Sequence, residues 1–407
     1  MQLRSRHVLL LVLLGAVLIL GGCTEAGLAP TADSTPTAES TPTADGSSTV
    51  ASPTPSPQSD ETATDGATPS PTPGSTADDG DSGDDPDGTL EVHVINVGQA
   101  DAALLRTDEE TMLIDSGDWR DDGATVIDYL EARDIDRIDH LVSTHAHADH
   151  IGGHEAVIDH FEEERDGIGA IYDSGVPHTT LTYERYLDAV ERHDVDLFAV
   201  AEGDRIPFAG VEATVLNPEE PGGDDLHYNS VTVHLEFGGT SFLFTGDAEL
   251  DAEARLVDAH GEALRADVYH AGHHGSNTSS SGPFLDAVDP QVAVISSAYD
   301  SQYGHPHDEP LVRFADRDVA TTWTGVHGTV VFESDGREIA VSTQHDASTD
   351  PLEITEADEA TAHPSDPGEE RFVVEGRGGD DDSGADGRLA SPVHETGAET
   401  TAVGVAT

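Results

Sequence analysis

The sequence predicts a layered α/β (α+β) domain spanning residues 89–345. Three observations carry that expectation. Short apolar segments rich in β-branched residues alternate with segments whose apolar residues recur at helical spacing. The patterned stretch is long enough to enclose one large core. The clusters of histidine and aspartate stand at the ends of apolar strands, where loops on a rigid scaffold carry function.

In chain order, "TLEVHVINVG" alternates and reads as a strand. "ALLRTDEETMLIDSG" reads as a β-hairpin, and "GATVIDYLEARD" as a helix. A buried strand "DHLVSTH", a helix "HEAVIDHFEEERD", a strand "GAIYDSG" and a helix "LTYERYLDAVERH" follow. Strands are expected at "DLFAVAEG", "VEATVLNP", "SVTVHLEFGG" and "TSFLFTGD", then a helix at "ELDAEARLVDAHG" with Gly261 as its stop. "ADVYHAGHHGS", "VAVISSAY" and "VATTWTG" are strand-then-loop units, and "TVVFES" with "EIAVST" forms a closing hairpin.

Outside this domain the composition changes. Residues 1–22 begin with two arginines and a long apolar run, the pattern of a signal peptide. The run ends in "LGGC", which resembles a lipobox and implies a lipid anchor on Cys23. An uncleaved membrane helix is the alternative, for which the run is short. Either places the body outside the cytoplasmic membrane. Residues 23–88 are rich in Thr, Ser, Pro, Ala and Asp, cannot bury a core, and read as a disordered tether. Residues 346–407 read as an acidic disordered tail, with "ERFVVEG" as a short strand candidate within it.

Of 407 residues, 81 are acidic and 18 basic, all of the latter arginine, for a net charge of −63. Such a chain repels itself in dilute buffer, and the repulsion is screened over about 3 Å in molar salt. It reads as a protein of a halophilic, haloarchaeal-like environment. The single cysteine excludes an intramolecular disulfide and a multi-cysteine zinc site.

The chemistry lies in "THAHADHIGG", Thr144–Gly153, where His145, His147, Asp149 and His150 fall within six positions after an apolar strand. Imidazole and carboxylate are donors that Zn²⁺ and Mn²⁺ accept. Ligands two apart can converge on one cation, while Asp149 and His150 face a second. Gly152 and Gly153 allow a tight turn into the next helix. "FLFTGDAE" offers Asp247 as a bridging carboxylate, and "VYHAGHHGSNTSS" offers His273 and His274. The order strand, ligand, loop occurs three times, which sets these residues apart from ordinary polar loops.

These motifs resemble the metallo-β-lactamase superfamily: an early Asp115 in "LIDSG", the HxHxDH motif, a "TGD" aspartate and a late histidine. Within it, "VINVGQADAALLR", "HAGHHGSNTSS" and "YGHP" resemble the hydrolase domain of ComEC-type competence proteins, with Ala100 where glycine is usual. The resemblance implies a four-layer αββα sandwich with two divalent metals, Zn²⁺ or Mn²⁺, at one edge. His145 and His147 would hold the first metal, Asp149 and His150 the second, and Asp247 would bridge. His273, favoured over His274, would complete the second set, and Asp115 would orient the motif loop. The first set departs from the family's spacing. His227 and Asn229 are its candidates in "DLHYNSVTV", which leaves an open or singly occupied site as the alternative.

Asp149 would orient a nucleophile drawn from metal-activated water, and His305 would contact phosphate or donate a proton. Ser276, with Asn277 and Thr278, would hydrogen-bond an anionic substrate. The expected activity is a surface-tethered phosphodiesterase or nuclease. DNA would be held at low affinity, since lysine is absent and salt weakens phosphate contacts. The alternative is hydrolysis of another ester or amide, such as a lactone, a β-lactam or a phosphocholine-type ester; a second alternative is a non-enzymatic surface protein with a vestigial site. The sequence points to no obligate protein partner.

Overall fold

The computed structural model describes residues 88–219 and 223–378. The expected signal segment, Cys23, all but the last residue of the tether, and the end of the tail lie outside the described residues. Among the described residues no helix is long and apolar enough to cross a membrane.

The first half of the chain forms β1 (Leu90–Val94), β2 (Ala103–Arg106), β3 (Thr111–Ile114), α1 (Ala124–Glu131), β4 (Ile138–Val142), α2 (His154–Glu164), β5 (Ile168–Asp173), α3 (Leu181–His193) and β6 (Leu197–Ala199). The second half forms β7 (Arg205–Phe208), β8 (Val211–Asn217), β9 (Thr232–Phe237), β10 (Thr240–Phe244), α4 (Leu250–His260), β11 (Val268–His270), α5 (Gly282–Val288), β12 (Val292–Ile295), α6 (Asp308–Ala315), β13 (Ala320–Trp323) and α7 (Thr324–His327). The chain then returns through β14 (Val330–Ser334), β15 (Glu338–Thr343) and β16 (Glu369–Glu375).

Two sheets result, ordered β16-β15-β14-β1-β2-β3-β4-β5-β6 and β13-β12-β11-β10-β9-β8-β7. Local chemistry sets the elements. Thr107 Oγ1 accepts from the backbone N–H of Glu109 and Glu110 and closes the β2–β3 turn. Thr180 caps α3 by accepting from Tyr183 N–H, and Asp194 ends it in the left-handed region. Strands β3 and β12 are buried along their whole length and carry continuous apolar or near-apolar runs, as strands covered on both faces do.

Three apolar clusters fill the spaces between layers. The central one packs Val92, Leu105, Met112 and Phe332 of the first sheet against Val215, Leu235, Phe242 and Val294 of the second. A second packs α1–α3 on the outer face of the first sheet through Tyr129, Phe161 and Tyr186. A third packs α4–α6 on the second sheet through Leu256, Phe284 and Phe314. The architecture is the four-layer αββα sandwich.

The expected boundary at 345 and the disordered tail from 346 require correction, because order continues to residue 378. Glu369–Glu375 adds β16 antiparallel to β15, so "EIAVST" is not a terminal hairpin strand. This strand is the candidate "ERFVVEG"; its acidic surroundings leave it weakly marked, since an edge strand of this kind buries little, and Val374 is its one buried residue. Ile354 in the intervening turn is fully buried in the third cluster. Patterning also assigns no element to β7, α5 or α6. Pro207 interrupts the first, and Pro283 and Pro310 stand in the first turns of the other two, where a missing N–H costs nothing.

Candidate metal centre

The unusual residues gather at the C-terminal ends of β3, β4, β10, β11 and β12. Residues 143–153 leave β4 and turn into α2. His150 and Ile151 N–H both donate to His147 C=O, which folds the motif into a turn and brings His145, His147 and His150 together. Gly152 and Gly153 serve a close approach rather than a special backbone angle. A Cβ on Gly152 would lie 2.0 Å from Trp119 N, and one on Gly153 2.4 Å from Ser116 O.

Asp115 ties this loop to the end of β3. Its carboxylate accepts from Thr144 N–H at 2.8 Å, Thr144 Oγ1 at 2.7 Å and His150 Nδ1 at 2.8 Å. That fixes the His150 tautomer and turns Nε2 toward Asp247 Oδ1, 3.2 Å away. Gly246 lets the β10 loop reach the motif, since a Cβ there would stand 2.5 Å from Ser230 Oγ and 2.7 Å from Thr144 Cβ.

Asp247 divides its two oxygens between two groups of imidazoles. Oδ2 lies 3.5 Å from His145 Nε2, 3.9 Å from His227 Nε2 and 3.6 Å from His273 Nε2. With His147, the atoms of His145, His227 and Asp247 lie within 4.8 Å of one another. Oδ1 faces His150 Nε2 and, at 3.8 Å, His274 Nε2. His274 Nδ1 donates to Ser296 C=O at 3.0 Å, leaving Nε2 free to face Asp247 and, at 3.4 Å, Asp149 Oδ2.

This arrangement fits two divalent cations. His150 Nε2, His274 Nε2 and Asp247 Oδ1 are buried, face one another, and make no hydrogen bond. Three such atoms are costly unless a cation satisfies them together. The imidazole and carboxylate donors are of the type divalent transition metals accept.

Electrostatics agree. Burial opposes charge on His150, yet Asp247 and Asp115 outweigh it and hold its pKa well above the ordinary value. His274 is raised in the same way against burial by Asp101 and Asp247. Burial opposes ionisation of Asp247, but His150 and His274 hold it well below the usual range. The carboxylates that favour protons on these rings equally favour cations in their place. His145 is held neutral by burial and by the charge of His150, and His147 is lowered to about 4 by burial and His227.

Set against the sequence, His145, His147, Asp149, His150 and Asp247 come together. The choice of His273 for the second group requires correction: His274 stands there, while His273 faces Asp247 Oδ2 beside His227. Both residues are left-handed (φ 51° and 57°), which swings adjacent side chains to opposite sides of Asp247 and defeats a reading by spacing. His227 fills the position sequence left open. Asn229 does not enter the cluster; it is buried and its Nδ2 donates to Asp225 C=O. Ser276 turns inward, sharing a 3.0 Å hydrogen bond with Thr278 Oγ1, which in turn lies 3.2 Å from His273 Nδ1. His305 sits at the rim, its ring stacked 6.2 Å from His274 and its Nδ1 3.3 Å from Gln99 Nε2.

Sequence reasoning missed two carboxylates. Buried Asp101 lies 3.2 Å from His274 Nδ1, and Glu249 faces the Nδ1 atoms of His227 and His273 at 3.5 and 3.2 Å. Both stood in quoted motifs, "VGQADA" and "TGDAE". Neither position has a spacing that distinguishes an orienting carboxylate from a loop aspartate or a helix-capping glutamate.

Residues 95–298 match the family model described as the metallo-beta-lactamase superfamily. Over 264 residues the chain is 28% identical to ComE operon protein 3 of Bacillus subtilis (strain 168), covering 61% of this chain and 33% of that protein. Over 247 residues it is 33% identical to Competence protein ComA of Neisseria gonorrhoeae, again covering 61% and 33%. The chain thus spans about a third of the length of these relatives. Among solved structures, the metallo-beta-lactamase fold protein YhfI from Bacillus subtilis aligns with a TM-score of 0.42 at 13% identity, over 61% of this chain and 100% of that one.

Proposed function

Because the chain belongs to the metallo-β-lactamase superfamily, in its ComEC-type branch, and is therefore a metal-dependent hydrolase, we propose that it cleaves phosphodiesters, with DNA outside the membrane as the substrate class. The observation that supports this best is the division of one buried carboxylate, Asp247, between two groups of imidazoles. Two cations held that way would supply an activated water and stabilise charge on attacking and leaving oxygens of a phosphodiester.

The chain's own residues do the rest. Asp149 lines the open cleft beside the centre, where it orients the nucleophile. Burial and the charge of His274 lower the His305 pKa to about 4, so its ring is neutral in use. Gln99 Nε2–H donates to Nδ1, which leaves the ring proton on Nε2 for the phosphoryl or leaving oxygen. Asp115 holds His150 in the tautomer that presents Nε2, and Glu249 faces His227 Nδ1 at 3.5 Å.

In this reading Cys23 carries a lipid anchor, the tether sets the domain off the surface, and the acidic chain works in concentrated salt. The test is cleavage of linear DNA and of a small chromogenic phosphodiester by the full chain in multimolar KCl, with Mn²⁺ or Zn²⁺ and a chelator control. Chelator-sensitive cleavage is expected. Metal-loaded, folded protein that leaves both intact but opens a lactone would overturn the reading.

A further inference from the structure

Beside the metal centre lies a cleft of about 370 Å³ lined by Val97, Gln99, Trp119, Asp149, Gln302 and Tyr303, among others. Trp119 is 53% and Tyr303 58% exposed, and they are the two aromatic side chains among the large hydrophobic residues found exposed in the described residues. Leaving such surfaces in water has a cost, and here both border the same opening.

Each is registered to the metal centre. Trp119 N–H donates to Ala148 C=O, the residue before Asp149, and Gly152 N–H donates to Gly117 C=O. Tyr303 lies 5.7 Å ring to ring from His305, whose ring stacks on His274, so an aromatic series runs from the rim to the centre. The Trp119 ring is backed by the Arg120 guanidinium at 4.9 Å, and that cation is matched by Asp118 at 2.9 Å. Asp118, Asp121 and Asp149 leave the cleft with more negative than positive charge.

We propose that Trp119 and Tyr303 are stacking platforms for unpaired nucleobases on either side of the scissile phosphate. This rests on the phosphodiesterase reading above. A cleft without spare cations cannot hold a polyanion by phosphate neutralisation, and concentrated salt would abolish such contacts anyway. Stacking on aromatic faces needs no net charge and tolerates any base sequence. The bases must be unpaired, because in a duplex their faces are already covered. The rim amides Gln99 and Gln302 suit neutral base edges.

The chain has two tryptophans, and Trp323 is only 4% exposed, so solvent quenching of fluorescence reports on Trp119. The experiment titrates the full chain, with chelator and in multimolar KCl, with oligothymidylate, an abasic strand of equal length, and the annealed duplex. Oligothymidylate is expected to quench, the other two are not, and Tyr303→Ala should weaken the binding about fivefold or more. With Mn²⁺ added, Trp119→Ala and Tyr303→Ala should each raise KM for oligothymidylate about tenfold, with kcat and cleavage of the abasic strand unchanged. Both side chains are exposed, so neither variant disturbs the fold. Equal quenching by the abasic strand, or none by any, would overturn the stacking cleft, as would unchanged KM in both variants. Base-dependent quenching without cleavage would leave the cleft standing and remove the phosphodiesterase reading; cleavage with neither signature would do the reverse.

Discussion

Asp247 is the residue on which both groups of imidazoles depend. Asp247→Ala should remove both cations and lower kcat/KM at least about a thousandfold, some 4 kcal/mol of transition-state stabilisation, while circular dichroism in high salt stays unchanged. The adjacent histidines separate the two groups. His274→Ala should reduce bound metal from two equivalents to one by elemental analysis, whereas His273→Ala should leave the second group filled. Loss of the same equivalent in both would contradict the placement of His274 beside His150. A different kind of histidine stands behind the motif. His154 is fully buried between the hydroxyls of Ser116 (2.5 Å from Nδ1) and Ser143 (2.7 Å from Nε2), and burial lowers its pKa from 6.5 to about 3. Its contribution to stability is therefore complete above pH 6.5 and is lost as pH falls toward 3, where the unfolded chain takes up a proton that the folded chain refuses. His154→Gln should flatten the decline of Tm across that range. The place of Asp247 between the histidine groups was legible because a carboxylate ended an apolar strand in a chain where two further strand ends carried histidines. The choice between His273 and His274 was not, since it turns on two left-handed backbone angles that spacing does not encode.

At the level of elements, the strands and helices that carry the site were readable because each combines a strong period with a clear stop. The loops that follow β4, β10 and β11 could be placed for the same reason. What escaped was weakly patterned: a proline-containing edge strand and two short helices with proline in the first turn; β16 was read only as a short strand candidate, "ERFVVEG", in a stretch dominated by acidic residues. The last has a mechanical role. It pairs along the whole of β15, with one irregularity between Val341 and Ser342, and covers an edge that would otherwise present unpaired N–H and C=O groups. Truncation after Asp366 should lower Tm by about 5 °C and increase aggregation on refolding, whereas truncation after Gly378 should do neither. Thermal unfolding and light scattering of the two forms would settle the matter.

For the whole molecule, charge is the dominant quantity. A net charge of −63 on 407 residues opposes compaction wherever salt is dilute. Raising KCl from about 0.1 M to multimolar shortens the screening length from roughly 10 Å to below 3 Å, so Tm should climb steeply over that range and level off beyond it. A flat profile would show that the acidic surface is neutral with respect to stability. The acidity was plain from composition and the layered architecture from the alternation of strand and helix patterns; how the two sheets divide the site between them was not, because that depends on pairings between distant segments. One of these pairings constrains how the protein can be made. Strand β1 at residues 90–94 has β2 on one side and, on the other, β14 at residues 330–334. An emerging polypeptide therefore lacks the neighbour of its first strand until nearly 240 further residues have appeared. The large sheet is closed last by a segment made late, and whatever holds the chain open before then must also prevent its first strand from finding another partner.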